Sequence, residues 1–183
     1  MARLPIASIE SATGSNQSIF TALQKGLGMV PNMARVMANS PAVLSAYAQF
    51  SGAMSTAKLS AKIREQIALL VAESNSCTYC LSAHSALGKL AGLNQAQIDD
   101  ARNRRSEDPR TAAALTFAQA VLDRRGGVTG GDVDAVRKAG FDDAELAEIV
   151  AAVAQNVFTN FFNRAFDVDV DFPRVEAHAA AAR

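Results

Sequence analysis

The chain has 183 residues, 49% of them hydrophobic and 20% charged, and its 18 basic residues equal its 18 acidic residues. This balance argues against a nucleic-acid-binding surface, because phosphate binding needs clustered positive charge. No run approaches the roughly 18 apolar residues of a membrane span, and residues 1–10 lack the apolar stretch of a signal peptide. We therefore expect a single cytoplasmic domain over residues 1–183, with its core at about 18–173.

The sequence predicts helices almost throughout. Alanine is abundant, apolar residues recur at helical spacing, and most glycines and prolines fall between the periodic segments. No alternating strand pattern competes, so we expect an all-α, multi-helix bundle. In chain order, the predicted helices cover Ser18–Lys25, Pro31–Ala38, Pro41–Met54, Ser60–Glu73, Cys77–Leu90, Gln95–Arg102, Pro109–Arg124, Asp132–Lys138 and Asp143–Ala165.

Two helix junctions, residues 91–97 and 139–145, carry the same signals. Each begins with Ala-Gly, which predicts the end of a helix, and an apolar residue follows as a hydrophobic staple. The next Asn or Asp forms a capping box with the Gln or Glu three residues later. Two explanations of this pattern are equally good: an internal duplication, or two separate uses of one helix–turn–helix device.

Asn156, Asn160 and Asn163 form a stripe at positions i, i+4 and i+7 of the last predicted helix. Asparagine is a poor helix former, so three in line beside phenylalanines are unusual. The preferred interpretation is a polar stripe on the surface. The alternative is a hydrogen-bonding seam at a subunit contact or in a pocket wall.

The chain has two cysteines, Cys77 and Cys80, in a Cys-x-x-Cys sequence, and His84 follows four residues later. Ser76 is the predicted N-cap, which puts Cys77 at the first helical position, where the helix dipole favours a thiolate. Cys77, Cys80 and His84 share one helix face. The cysteine spacing is within range of a disulfide, which we expect to be exposed and easily reduced.

His84 is the candidate base for this pair, because it lies one helical turn from Cys80 and can take the thiol proton. A base needs a third group to orient it. The preceding helix offers Glu65 and Glu73, and Glu65 is the better candidate for a buried acid because isoleucine and leucine residues flank it. The candidate catalytic residues are therefore Cys80, Cys77, His84 and Glu65.

Three other interpretations of these residues stay open at this point. A zinc site of Cys77, Cys80, His84 and one carboxylate departs from the usual spacing, in which a second ligand pair lies well away from the first. The cysteines could instead be two inert, buried small residues. His84 could be a hydrogen-bonded core histidine. We expect no metal site and no bound cofactor.

Glu65, followed by Cys77-x-x-Cys80 and His84, resembles the active-site pattern of the alkylhydroperoxidase D family of the carboxymuconolactone decarboxylase-like superfamily. The likeness covers most of residues 25–173, and the wider chain is similar to the branch called peroxidase-related proteins. The segments that carry it are 64–66, 73–84 and 88–92 for the family, and 28–32, 156–160 and 170–173 for the branch.

The resemblance implies an all-helical fold that assembles as trimers or hexamers. It also implies that Cys80 attacks a hydroperoxide, that Cys77 resolves the resulting sulfenic acid, that His84 is the base and that Glu65 is the relay acid. The expected partners are a hydroperoxide substrate and a dithiol or protein reductant of unknown identity, without haem, flavin or metal. Tyr79 departs from the family's characterised peroxidase, which has histidine inside its Cys-x-x-Cys.

The leading hypothesis is a thiol-dependent peroxidase. Its rivals are a general dithiol–disulfide oxidoreductase, a metal-binding or redox-sensing protein, and a decarboxylase-like enzyme acting on a small organic acid. The decarboxylases of the superfamily generally lack the cysteine pair, so the pair argues against the last of these activities.

Overall fold

The computed structural model describes residues 2–178, in which nine helices form the fold and no strand occurs. The all-α prediction is confirmed, and the predicted domain of residues 1–183 extends at both ends beyond the described residues. None of the helices within 2–178 has the length and apolar character needed to cross a membrane. The helices are α1 (Gly14–Leu27), α2 (Asn32–Met37), α3 (Pro41–Ser55), α4 (Ala61–Ser74), α5 (Thr78–Leu90), α6 (Gln95–Arg102), α7 (Pro109–Asp123), α8 (Gly130–Lys138) and α9 (Asp143–Ala165).

Two helices begin earlier than the sequence predicted. α1 begins at Gly14 instead of Ser18, and α8 begins at Gly130 instead of Asp132. At α8 the Thr129 side chain accepts a hydrogen bond from the Asp132 N–H, and the Asp132 carboxylate accepts one from the Thr129 N–H. This capping box uses Asp where Glu or Gln is usual, and it offsets the low helix propensity of the glycines.

Helix α4 forms the centre of the bundle. It packs against α5, α6, α7 and α9, and every residue from Gln66 to Ala72 is buried. A helix that is buried on all sides belongs inside a fold, which explains why its apolar residues form a nearly continuous run. Glu65 lies just before this segment, so the core holds its position.

A sharp turn joins α4 to α5 and positions the cysteines. Ser76 has a left-handed backbone conformation (φ 51°), its N–H donates to the Glu73 carbonyl, and the Cys77 N–H donates to the Ala72 carbonyl. These two bonds form a Schellman motif that ends α4. The N-cap of α5 is Cys77, whose Sγ accepts a hydrogen bond from the Cys80 N–H at 3.2 Å. The prediction that Ser76 caps α5 is therefore wrong, because this serine belongs to the end of α4.

Candidate active site

The structure joins Cys77 and Cys80 by a disulfide bond, with their Cα atoms 5.3 Å apart. Both residues are buried, with 1% and 2% of their surface exposed, so the prediction of an exposed bridge is wrong. The chain beyond α9 lies across the start of α5, where the Val175 N–H donates to Ser82 Oγ at 2.9 Å. Tertiary contacts of this kind bury the two cysteines, which the start of an isolated helix would leave exposed to solvent.

His84 and Glu65 meet across the α4–α5 contact. His84 Nδ1 lies 2.8 Å from Glu65 Oε2, and each side chain is 21% exposed. When the Glu65 carboxylate is ionised it can only accept, so Nδ1–H then donates and Nε2 is left free to take a proton. Glu73, the other candidate acid, is 2.7 Å from the Arg102 guanidinium and does not approach this site.

A cavity of about 230 Å³ lies beside Cys80. Cys80, His84 and Glu65 all line it, whereas Cys77 lines a separate, more polar cleft. The arrangement therefore gives one sulfur access to a chamber that also holds a base and its orienting acid. The apolar wall of this cavity includes Leu27, Pro31, Met33, Met54, Leu87 and Phe172.

Tyr79 is buried in the wall of this cavity. Its hydroxyl accepts a hydrogen bond from the Met33 N–H at 3.2 Å, and its ring packs edge-on against Phe172 at 5.9 Å between ring centres. Burial raises the pKa of the Tyr79 hydroxyl above its ordinary value. Tyr79 therefore stays protonated at physiological pH, and its ring forms part of the cavity wall.

The asparagine stripe of α9 faces the interior. Asn156, Asn160 and Asn163 are all buried, so the preferred interpretation as a surface stripe is wrong. Asn156 and Asn163 line the Cys80 cavity, as the pocket-wall alternative expected, while Asn160 accepts a hydrogen bond from Asn75. Asn163 also contacts the Cys80 sulfur. The sequence signalled an unusual stripe but gave no sign of this partner.

A metal site finds no support within residues 2–178. They contain no cluster of three or more His, Cys, Asp or Glu side chains arranged to hold a metal ion. The zinc interpretation required Cys77, Cys80, His84 and a carboxylate, but the two sulfurs are bonded to each other and the imidazole to Glu65. The donor set thus suits thiol chemistry with a proton relay better than metal binding.

Comparison with known proteins supports one family. An uncharacterized peroxidase-related protein from Silicibacter sp. TM1040 is 26% identical, with a TM-score of 0.81 over 91% of this chain and 88% of that chain. Residues 41–124, which include all four candidate catalytic residues, match the carboxymuconolactone decarboxylase family. Both findings support assignment of the chain to the alkylhydroperoxidase D-like carboxymuconolactone decarboxylase superfamily.

Other members of this fold are similar over nearly the whole chain. The alkylhydroperoxidase core of a peroxidase-related protein from Ralstonia eutropha JMP134 is 23% identical, with a TM-score of 0.85 over 93% of this chain and 92% of that one. The debrominase Bmp8, as a cysteine-to-alanine variant in complex with 2,3,4-tribromopyrrole, is 19% identical, with a TM-score of 0.77 over 93% and 92%. No curated protein matches the chain.

Proposed function

We propose that this alkylhydroperoxidase D-like protein is a thiol-dependent peroxidase that reduces hydroperoxides through Cys80 and Cys77. The observation that carries the proposal is the shared cavity, in which Cys80 lies with His84 and its partner Glu65. A nucleophile, a base and an orienting acid are the parts that such a reaction needs. The Cys77–Cys80 bond is the expected end product of the reaction.

In the proposed cycle, His84 Nε2 takes the proton of the Cys80 thiol. The thiolate attacks the terminal oxygen of the hydroperoxide, so that an S–O bond forms and the O–O bond breaks. His84 then returns the proton to the departing alkoxide, which leaves as an alcohol. The Cys77 thiol attacks the sulfenic acid on Cys80, expels water and closes the disulfide. The thiols supply both electrons, so this cycle needs no haem, flavin or metal.

The cavity supports an organic hydroperoxide as the substrate. Its volume of about 230 Å³ exceeds the roughly 150 Å³ of an apolar protein cavity that admits benzene. Hydrogen peroxide alone would leave most of that space unfilled. Bmp8 binds 2,3,4-tribromopyrrole, which contains an aromatic ring. A ring of this size would fit the cavity beside Cys80.

Reduction of the buried bridge is the second half of the proposed cycle. A dithiol or a protein reductant would attack one sulfur and be oxidised to its own disulfide as both cysteines return to thiols. Such reducing systems operate in the cytosol, so a cytoplasmic location is part of the proposal. A general dithiol–disulfide oxidoreductase is the second candidate, because the formed bridge suits that activity as well.

Turnover with two oxidants separates the two candidates. The reduced protein is given either cumene hydroperoxide or a small disulfide, with dihydrolipoamide as the reductant, and consumption of each oxidant is followed. The peroxidase proposal expects faster turnover with the hydroperoxide, and loss of two thiols per protein after one equivalent. Turnover with the disulfide but not with the hydroperoxide would establish the oxidoreductase instead.

We also propose that the protein is a homo-oligomer, the trimer or hexamer that the resemblance implies. Phe158 and Phe161 are 40% and 55% exposed on α9, and with Val150 and Val157 they form the apolar part of a groove that charged residues also line. A second copy of the chain is the expected cover for this surface. Light scattering at micromolar concentration tests this, since a species of 19.2 kDa would contradict it.

A further inference from the structure

The side chain of Asn163 contacts the sulfur atom proposed to react. Asn163 lies near the end of α9 and is 3% exposed. Its Nδ2 is 3.4 Å from Cys80 Sγ and 3.2 Å from Met33 Sδ. An amide nitrogen carries two hydrogens, and here each of them has a sulfur acceptor. The amide is therefore held with its donor end toward Cys80.

The other end of the same amide has no partner. Asn163 Oδ1 is buried and accepts no hydrogen bond from the described residues. Most buried polar atoms are satisfied, so an orphaned acceptor in a native fold calls for a donor from elsewhere. Asn163 lines the cavity that Cys80 and His84 share, which is where a substrate would supply that donor.

We propose that Asn163 is a further catalytic residue, whose amide N–H stabilises the Cys80 thiolate and whose Oδ1 accepts the hydroxyl hydrogen of the attacked hydroperoxide. The first half of this inference requires only a thiolate at Cys80. The second half rests on the proposed peroxidase function. One amide group would thus bind both reacting atoms, the sulfur through its nitrogen and the terminal oxygen through its own oxygen.

The chemistry of the step fits both contacts. A buried thiolate needs hydrogen-bond donors, because removal from water penalises the charged form. As the S–O bond forms and the O–O bond breaks, the terminal oxygen keeps its hydrogen and becomes the sulfenic acid hydroxyl on Cys80. A hydrogen bond to Asn163 Oδ1 would hold that hydrogen throughout, while the His84 proton goes to the departing alkoxide.

Asn160 provides a matched comparison within the stripe. It is fully buried on the same helix and, like Asn163, has one side-chain atom without a partner. Its Oδ1 accepts from Asn75 Nδ2 at 3.1 Å, and it does not line the Cys80 cavity. Loss of either amide disturbs the interior of α9, but only Asn163 has contact with the sulfur.

The first test is the alkylation of Cys80 as a function of pH. In a Cys77→Ser background one thiol remains, and its rate of reaction with iodoacetamide follows the thiolate fraction. Asn163→Ala should move the midpoint of this profile upward by about one pH unit, the size expected for one hydrogen bond to a charged group. Asn160→Ala should leave the midpoint in place. Equal midpoints for the two variants would overturn the inference.

Asn163→Asp keeps the size of the side chain and serves as a second variant if Asn163→Ala does not fold. Its carboxylate would face the thiolate, so the midpoint should rise further than in Asn163→Ala. A midpoint at or below that of the Cys77→Ser parent would overturn the thiolate contact. Because alkylation involves no peroxide, this result stands even if the peroxidase proposal fails.

The role of Oδ1 needs a separate measurement. In the Cys77→Ser background, the single-turnover reaction with cumene hydroperoxide is followed at a pH above the alkylation midpoint of every variant. At that pH the Cys80 thiolate is fully formed in all of them. Asn163→Ala should still react about tenfold more slowly than Asn160→Ala, since a hydrogen bond to the transferred hydroxyl is missing. Equal rates there would restrict Asn163 to the thiolate contact and overturn the second half of the inference.

Discussion

The junction between α4 and α5 differs from those between α5 and α6 and between α8 and α9, although all three use a Schellman motif. Gly92 and Gly140 occupy the left-handed position at the latter two, with φ of 89° and 90°. Ser76 occupies it at the first, with φ of 51°. A side chain in this conformation costs about 1–2 kcal/mol, which glycine avoids. The cysteine junction therefore gives up stability that the other two retain.

The caps that follow differ as well. After each glycine come a buried apolar residue, Leu93 or Phe141, and then an oxygen cap, Asn94 or Asp142, in a full capping box. After Ser76 the chain has no room for either, because Cys77 is both the last residue of the α4 turn and the N-cap of α5. Arg104, Arg125 and Asp167 also have left-handed backbone without being glycine, so the feature that sets the cysteine junction apart is the double role of Cys77.

The largest expected effect is on the reaction rate at the cysteine junction. His84→Ala and Glu65→Gln should each slow peroxide consumption by roughly 10²–10⁴-fold, because base and orienting acid act as one relay. The double variant should lose little more than the worse single variant. Steady-state rates with cumene hydroperoxide measure this, and Asp142→Ala at the α9 junction is the control with an unchanged rate. Losses that add in free energy would refute a shared relay.

At the α9 junction, the expected effect is on stability. Asp142→Ala removes the oxygen that accepts from the Glu145 N–H at 3.0 Å and should cost about 1 kcal/mol of unfolding free energy, or roughly 2–4 °C in melting temperature. Urea unfolding measures the difference. No loss of stability would show that this capping box contributes little, and the contrast between the junctions would weaken.

Exchanging the left-handed residues tests the contrast directly. Ser76→Gly should stabilise the protein by about 1 kcal/mol, and Gly140→Ser should destabilise it by a similar amount. A Cβ atom at Gly140 would meet no atom within 4 Å, so this penalty would come from the backbone alone. Opposite shifts in the urea midpoint are expected, and shifts of the same sign would contradict the account of the two junctions.

The smallest expected effect appears in acid. The hydrogen bond from Lys58 holds the pKa of Asp142 below its ordinary value. The folded pKa is thus below the unfolded one, near about 4, and the carboxylate contributes stability that is lost as the pH falls through the folded value. Asp142→Asn keeps a capping oxygen and should lose less stability than the wild type between about pH 7 and pH 3. Parallel urea curves at both pH values test this, and equal losses would contradict it.

Local signals explain what the sequence could predict. The helices Gln95–Arg102 and Asp143–Ala165 have the bounds that their capping boxes predicted, because a cap and its partners lie within a few residues. The error at Ser76 has the opposite origin. Serine is a good N-cap in isolation, and only the hydrogen bonds at the end of α4 exclude it from that role.

Long-range packing explains the rest. Asn163 and Cys80 are 83 residues apart in the chain, and their contact depends on how α9 packs against α5. The burial of the bridge likewise depends on α9 and on residues after it, such as Val175. Periodicity can assign each of these residues to a helix face, but it cannot identify which faces meet. The contact between His84 and Glu65 is a long-range contact that the sequence could predict, because consecutive helices usually pack together.

The order of the two cysteines is the central claim, and trapping the sulfenic acid tests it most directly. Cys77→Ser and Cys80→Ser are each treated with one equivalent of cumene hydroperoxide in the presence of dimedone, and the labelled residue is identified by mass spectrometry. The expected result is a dimedone adduct on Cys80 in the Cys77→Ser protein and no adduct in the Cys80→Ser protein. An adduct on Cys77, or none in either protein, would contradict the account.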